Sequence, residues 1–235
     1  MTPRPSLDCL VGIFTLAALL GSTFPGAFRR ALGYPSPSGS GCRQGGSVAL
    51  EVPFSRDISS EDRQAVLSVL DTPFLALGPY LRQFEEVVAA YVGVRFGVAA
   101  NSGTALHLLV RAFGIGEGDE VITTPFSFIA SSNCILYERA RPVFVDVEAD
   151  TGNIDPGLIE AAITPRTRAI LPVDAFGHPA RLDIIRDMAD RHGLVVIEDS
   201  CESLGSEYKG KKCGSPAYAH GAAFAFYPNK QITTG

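Results

Sequence analysis

The sequence is poor in several residue types that mark particular classes of protein. Its 235 residues include no tryptophan, two methionines and five cysteines, and only 19% of them are charged. The cysteines are too few and too scattered for a disulfide framework, and none of them lies in a CxxC pair or a paired zinc motif. We therefore predict no metal site and a reducing compartment, the cytoplasm. The net charge of −5 excludes a general attraction to nucleic acid or to anionic membranes, so neither is an expected partner.

Long hydrophobic runs are also scarce, and the longest lies near the N-terminus. Residues 9–20 form an apolar run that is too short to span a bilayer comfortably but fits the core of a signal peptide. Residues 36–47 have the composition of a flexible linker. An export signal, a short membrane-associating tail and a poorly structured extension all remain open for this region. We expect the third, with residues 1–47 as the extension and residues 48–235 as the organised domain.

Beyond residue 48, segments with strand character alternate with segments at helical spacing. The predicted strands cover residues 96–100, 120–123, 142–147, 168–173, 194–197 and 222–226. Helices are predicted between them, and others precede the first strand, one of them opened by a capping box that pairs Ser59 with Asp62. This alternation predicts an α/β fold with a mostly parallel sheet and helices on both faces. Functional groups in such folds gather at the carboxyl ends of the strands.

Three polar features follow predicted strands and would meet at that edge. Ser102, Gly103 and Thr104 open a helix, where backbone N–H groups and hydroxyls form either an ordinary helix cap or a phosphate site. Asp199 ends an apolar strand and is either a cap or a charged group aimed into a site. Lys230 lies among largely uncharged neighbours and is either a desolvated, nucleophilic amine or an ordinary surface lysine in a loop.

Phe128 adds a possible fourth component just past another strand end. It packs in the core or offers a ring face to a planar ligand. Together the four features would supply a phosphate cradle, an aromatic face, a fixed carboxylate and a reactive amine. Pyridoxal 5′-phosphate requires these groups, because its aldehyde forms a Schiff base with lysine and its pyridine nitrogen stays protonated beside a carboxylate.

Three stretches of the chain also resemble a known family. They are AANSGTALHLLVRAFGIGEGDEVITTPFSFIASSNCILYERARPVFVDVEADTGNID, VVIEDSCESLGSEYKGKKCG and FAFYPNKQITTG. FYPNKQITTG and the EDSCESLG block are specific. The sequence resembles the DegT/DnrJ/EryC1/StrS sugar aminotransferases over nearly everything from about residue 50 onward. The resemblance implies the large domain of the pyridoxal-phosphate-dependent transferase fold type I.

The resemblance also implies roles for individual residues. Lys230 would be the Schiff-base lysine and Asp199 the partner of the pyridinium. Ser102, Gly103 and Thr104 match the stretch that contacts the cofactor phosphate, and Phe128 matches the aromatic residue that stacks on the ring. Glu202 falls next to the cofactor, where members usually carry Gln or His. Two departures concern the phosphate and the substrate: Ala225 replaces a phosphate-binding serine, and residues 74–79 lack the usual Thr or Ser.

By this resemblance, the protein is an enzyme that moves an amino group from glutamate to a nucleotide-linked keto-sugar, in polysaccharide or secondary-metabolite sugar biosynthesis, and it is a homodimer. A dehydratase-like enzyme on the same scaffold is an alternative, although such relatives typically replace the lysine with histidine. A non-catalytic cofactor-binding or regulatory protein is another, although no basic helix-turn-helix stretch precedes residue 48. Family members continue well past the lysine, so we expect this chain to lack the C-terminal domain and to be inactive alone.

Overall fold

The computed structural model describes residues 10–14, 58–100 and 103–234. Its strands are β1 (Leu10–Phe14), β2 (Phe96–Ala100), β3 (Glu120–Thr123), β4 (Arg141–Phe144), β5 (Thr167–Leu171), β6 (Val195–Asp199), β7 (Glu207–Tyr208), β8 (Lys211–Lys212) and β9 (Gly221–Phe224). Its α-helices are α1 (Ser60–Leu70), α2 (Pro79–Val92), α3 (Thr104–Ala112), α4 (Ala130–Tyr137), α5 (Pro156–Ala162) and α6 (Leu182–His192). None of the helices in these ranges combines the length and apolarity needed to cross a bilayer.

Seven of the strands form one sheet in which every pairing is parallel. The strand order is β2-β1-β9-β6-β5-β3-β4, and β7 and β8 form a separate antiparallel pair. This architecture confirms the predicted α/β class with a parallel sheet. All seven strands end at the same edge, which brings the segments that follow β2, β3, β6 and β9 into one region.

Strand β1 is the one element of the sheet that no sequence pattern predicts. It lies between β2 and β9, with Leu10 opposite both Phe96 and Gly221. Part of the signal-like run at residues 9–20 therefore lies within the sheet. The rest of that run, the linker at 36–47 and the proposed boundary at residue 48 fall outside the described residues, so the division into an extension and a domain stays a prediction.

Alternation along the central strands sends neighbouring side chains to two apolar layers. Val121 in β3 and Ile197 in β6 join α3 and α4 in one buried cluster. Ile122 and Val196, their neighbours in sequence, join α5 and α6 in a second cluster. Because successive strand residues face opposite sides, helices are needed on both faces to cover the sheet. A third cluster packs α2 against β9 and Phe226.

The helix ends follow from identifiable residues. Ser59 and Asp62 form the predicted capping box at α1, with each side chain bonded to the other's backbone N–H. Asp155 caps α5 and Pro156 occupies its first turn. Gly193 ends α6 with a φ of 66°, in the left-handed region that glycine adopts without a Cβ penalty. These local signals fix where each helix meets the sheet.

Candidate active site

Lys230 lies in a turn after β9 and forms an ion pair there. Its backbone N–H donates to the carbonyl of Tyr227 at 2.9 Å, which closes the turn. Its Nζ donates to Oε1 of Glu202 at 2.8 Å, and only 16% of the lysine side chain is exposed. A carboxylate from the segment after β6 therefore holds the amine at the carboxyl edge of the sheet.

Glu202 is fixed from two sides. Its Oε2 accepts a hydrogen bond from the backbone N–H of Phe176 at 3.1 Å. Its backbone carbonyl accepts one from the side chain of Gln231, the residue after the lysine. Gly177 presses against the same carbonyl, since a Cβ added there would lie 2.7 Å from the oxygen. The turn that carries Glu202 is thus packed between two other segments of the site.

Asp199 is the last residue of β6, and its side chain is buried. Its Oδ2 accepts a hydrogen bond from Oγ of Ser131 at 2.6 Å, and its Oδ1 accepts one from the backbone N–H of Cys201 at 3.3 Å. The Asp199 backbone is tied to the end of the neighbouring strand, because its N–H donates to Pro172 and its carbonyl accepts from Asp174. The direction of the carboxylate is therefore set by both the main chain and side chains.

The Cys201 thiol lies among the charged groups of the site. Burial raises its pKa well above the usual range, the charges of Asp199 and Glu202 raise the pKa further, and the charge of Lys230 lowers it. The backbone N–H of Cys201 also donates to Asp199, which places this residue beside the carboxylate. A thiol that stays protonated is a poor nucleophile, so Cys201 serves the site as a packed, neutral neighbour.

The start of α3 is the candidate phosphate site. Gly103 is the N-cap residue of the helix and has a φ of 33°. Because glycine has no side chain, it cannot cap the first backbone N–H groups as Ser or Asp would. Thr104 is the first helical residue, whereas Ser102 lies outside the described residues. Because α3 packs against β6 and β9, its first backbone N–H groups open toward the edge that carries Asp199.

Phe128 lies beyond the end of β3 with 79% of its surface exposed. The ring is therefore accessible to a ligand. None of the described contacts shows it stacking on another group. Phe126 packs edge-to-face on Phe176 with ring centroids 5.9 Å apart. Phe176 is 81% exposed, adopts a φ of 54° and bonds to Glu202 through its backbone. No sequence pattern indicates a role for Phe176, since its place beside Glu202 arises only from the parallel arrangement of β5 and β6.

Three buried groups lie on the other side of the β6 end. One ligand atom from each of Asp174, Glu198 and Cys213 lies within 4.8 Å of the others. This proximity is invisible to a search for spaced metal motifs, because the three residues come from separate segments. Burial and the nearby carboxyl groups raise the pKa of the Cys213 thiol, which favours a proton over a metal ion on the sulfur. The expected absence of a metal site stays a prediction.

Residues 74–79, where the resemblance places substrate contacts, line concave surface at the start of α2. A small cavity there is bordered by Val69, Phe74 and Leu81, and an open groove continues along α2 from Leu77 to Glu86. Neither concavity includes Lys230 or Asp199 in its lining. The segment is apolar and exposed, and it supplies no side chain to the charged groups described above.

Comparison with known proteins gives a consistent family match. The family described as the DegT/DnrJ/EryC1/StrS aminotransferase family matches residues 56–235. GDP-perosamine synthase of Caulobacter vibrioides is 45% identical over 180 residues, which are 76% of this chain and 48% of that protein. The chain spans about half the length of the curated relatives that it matches.

Solved structures agree with the sequence match. DesV of Streptomyces venezuelae, crystallised in complex with a ketimine intermediate, is 44% identical with a TM-score of 0.69 over 73% of this chain and 46% of that chain. The PLP form of Spr1654 from Streptococcus pneumoniae, a sugar aminotransferase by its description, is 33% identical with a TM-score of 0.71. That match covers 78% of this chain and 50% of the other.

Proposed function

Because the chain belongs to the DegT/DnrJ/EryC1/StrS aminotransferase family, we propose that the protein is a pyridoxal-phosphate-dependent enzyme that transfers an amino group to a nucleotide-linked keto-sugar. One observation carries this proposal. Nζ of Lys230 lies 2.8 Å from Oε1 of Glu202, three residues beyond Asp199 at the end of β6, so these groups meet at the carboxyl edge of a parallel sheet. The relatives support the substrate class, since one is a GDP-perosamine synthase and another is a dTDP-sugar transaminase.

The groups present fit the cofactor by their chemistry. Asp199 accepts hydrogen bonds from Ser131 and Cys201, and a carboxylate with about four acceptor sites keeps capacity for a pyridinium N–H. Lys230 offers a largely shielded amine, and the start of α3 after Gly103 presents backbone N–H groups toward a phosphate. Phe128 offers an exposed ring. When bound, pyridoxal phosphate supplies an electron sink for a carbanion at the substrate carbon.

Each charged residue then has a distinct task. Asp199 holds a proton on the pyridine nitrogen, because a fixed negative charge favours the protonated, positive form of its partner. Lys230 anchors the cofactor and, once released, moves a proton at the substrate carbon that gains or loses the amino group. Glu202 orients the lysine, since its two oxygens bind Nζ of Lys230 and the backbone N–H of Phe176.

The finer assignments concern the donor, the sugar and the assembly. We propose glutamate as the amino donor and a homodimer as the assembly, and both rest on the resemblance. Ala225 follows β9 where the family usually carries a phosphate-binding serine, so the start of α3 carries more of the phosphate binding here. The apolar segment at residues 74–79 borders the groove on α2 and is proposed to contact the sugar.

Transfer of labelled nitrogen tests the proposal directly. The full-length protein is incubated with pyridoxal phosphate, ¹⁵N-glutamate and a panel of nucleotide keto-sugars, and products are analysed by mass spectrometry. We expect a labelled amino-sugar from the native protein and none from Lys230→Ala. Lys211→Ala, an exposed lysine on β8, is the matched control and should act as the native protein does. A native protein that binds the cofactor but labels no sugar would favour the regulatory alternative.

A further inference from the structure

Two serine hydroxyls lie in line behind Asp199. Oγ of Ser131, in the first turn of α4, lies 2.6 Å from Oδ2 of Asp199. Oγ of Ser127 lies 2.6 Å from Oγ of Ser131. Ser131 is 1% exposed and Asp199 is 5% exposed, so bulk water does not replace the contact between them. The two serines and the aspartate form a continuous row that we call the hydroxyl chain.

The direction of the hydroxyl chain follows from donor counting. An ionised carboxylate only accepts hydrogen bonds, and a serine hydroxyl has a single proton to donate. Ser131 must therefore give its proton to Asp199. The contact between the two serines then leaves Ser127 as the donor and Ser131 as the acceptor. Polarisation along such a row strengthens the final hydrogen bond to the carboxylate.

The surroundings of Asp199 make this hydrogen bond consequential. Within the described residues, no Arg, Lys or His forms an ion pair with Asp199. The titratable groups near Asp199 are the thiols of Cys134 in α4 and of Cys201, whose pKa values its charge raises, and the ion pair of Lys230 with Glu202. Burial and the Asp199 charge raise the pKa of Cys134 to about 12, so this thiol remains neutral.

We propose that Ser131 is a positioning residue, which with Ser127 behind it keeps the Asp199 carboxylate charged and aimed at the pyridine nitrogen. This inference rests on the proposed function. A hydrogen bond to the charged form of a buried carboxylate favours that form. Without Ser131, Oδ2 would lose the hydrogen bond from that hydroxyl, the charged carboxylate would be less stabilised, and the shared proton would shift from the ring nitrogen toward the carboxylate.

The test measures protonation of the bound cofactor rather than turnover. The full-length protein is loaded with pyridoxal phosphate labelled with ¹⁵N in the ring, and the nitrogen chemical shift is followed as the pH is raised. At pH values where the native ring nitrogen is protonated, Ser131→Ala is expected to move the nitrogen signal toward that of a neutral pyridine. The equilibrium between proton on nitrogen and proton on carboxylate should shift about tenfold toward the carboxylate, the size of a lost charge-assisted hydrogen bond. Ser127→Ala should shift this equilibrium by less, because it removes only the second hydroxyl.

Two variants separate positioning from packing. Ser131→Thr keeps the hydroxyl and should restore the native titration. Ser132→Ala removes the exposed neighbouring hydroxyl, which bonds to the carbonyl of Ile129, and should titrate as the native protein does. If Ser131→Ala does not fold, Ser127→Ala still decides the question, since Ser127 is exposed.

The outcomes distinguish this inference from the proposed function. A native protein whose ring nitrogen is never protonated would overturn the role of Asp199, and with it the proposed function. A protonated nitrogen in the native protein with unchanged titration in both Ser131→Ala and Ser127→Ala would overturn only the hydroxyl chain. A nitrogen signal in Ser131→Thr displaced toward neutral pyridine as far as in Ser131→Ala would show that packing, and not the hydroxyl, is responsible.

Discussion

The buried carboxyl groups of Glu198 and Asp174 predict that the protein loses stability as the pH rises. Oε1 of Glu198 accepts hydrogen bonds from Ser200 and Gly214, both at 2.9 Å, whereas Oε2 has no N–H or hydroxyl donor. One carboxylate oxygen of Glu198 lies within 4.8 Å of one of Asp174, whose own oxygens accept hydrogen bonds from Ser203 and Ala180. A hydrogen bond between the two carboxyl groups forms only if one of them carries a proton. Burial, followed by the Asp174 charge, raises the pKa of Glu198 well above the usual value.

The sign of the effect follows from proton binding in the two states. The unfolded chain loses the Glu198 proton near an ordinary glutamate pKa of 4.5, while the folded protein keeps it. The free energy of unfolding therefore falls by about 1.4 kcal/mol per pH unit above that value, until the pH passes the raised pKa of the folded state. The stabilisation is complete below the unfolded pKa and is lost between the two values.

Glu198→Gln isolates this contribution. Its amide N–H₂ can donate to Asp174 as the protonated acid does, its amide oxygen can accept from Ser200 and Gly214, and it does not titrate. From pH 5.5 to 7.5, the stability of the native protein relative to Glu198→Gln should therefore fall by up to about 2.7 kcal/mol. Effects from titrating groups outside the Glu198–Asp174 pair are shared by both proteins and cancel in the difference.

Urea unfolding followed by circular dichroism at several pH values measures this difference. Glu207→Gln serves as the control, because Glu207 lies in the exposed β7–β8 hairpin and should show no such trend. A difference between the native protein and Glu198→Gln that is constant with pH would refute the shared proton. So would strong destabilisation of Glu198→Gln at every pH, which would indicate an ionised Glu198 in the folded state.

Three further predictions concern the site and the assembly. Asp199→Asn should slow the half-reaction with glutamate by orders of magnitude in stopped-flow measurements while weakening cofactor binding less, and an unchanged rate would place the pyridinium partner elsewhere. Gly177→Ala should destabilise the protein by roughly 1–3 kcal/mol more than Gly193→Ala; both glycines have positive φ, but only at Gly177 would a Cβ lie 2.7 Å from the Glu202 carbonyl, and equal midpoints of urea unfolding would refute the clash. Sedimentation of the full-length protein should show a homodimer, and a stable active monomer would contradict it.

Local sequence signals were sufficient for much of the fold. The strand at residues 120–123 and the capping box at Ser59 are where the pattern predicts them. Asp199 and Lys230 could be assigned to one edge because alternating strands and helices imply parallel strands, whose carboxyl ends coincide. That inference needs no knowledge of strand order.

The remaining features depend on contacts between distant segments. Ser131 looks like one of several serines in the sequence, and only the packing of α4 beside β6 places its hydroxyl on Asp199. Glu198 belongs to the same sequence motif as Asp199, but neighbouring strand residues point to opposite faces. Glu198 therefore lies beside Asp174, whereas Asp199 bonds to Ser131. Strand β1 is apolar, as a signal-like run is, so composition alone could not place it between β2 and β9.

Borohydride reduction followed by peptide mapping tests the central claim most directly. The full-length protein is saturated with pyridoxal phosphate, reduced, digested and analysed for the peptide that carries the cofactor. We expect one stoichiometric label on Lys230 of the native protein, and no label on that peptide in Lys230→Ala. Stoichiometric label on Lys209, Lys211 or Lys212 instead, or no label in a folded native protein, would contradict it.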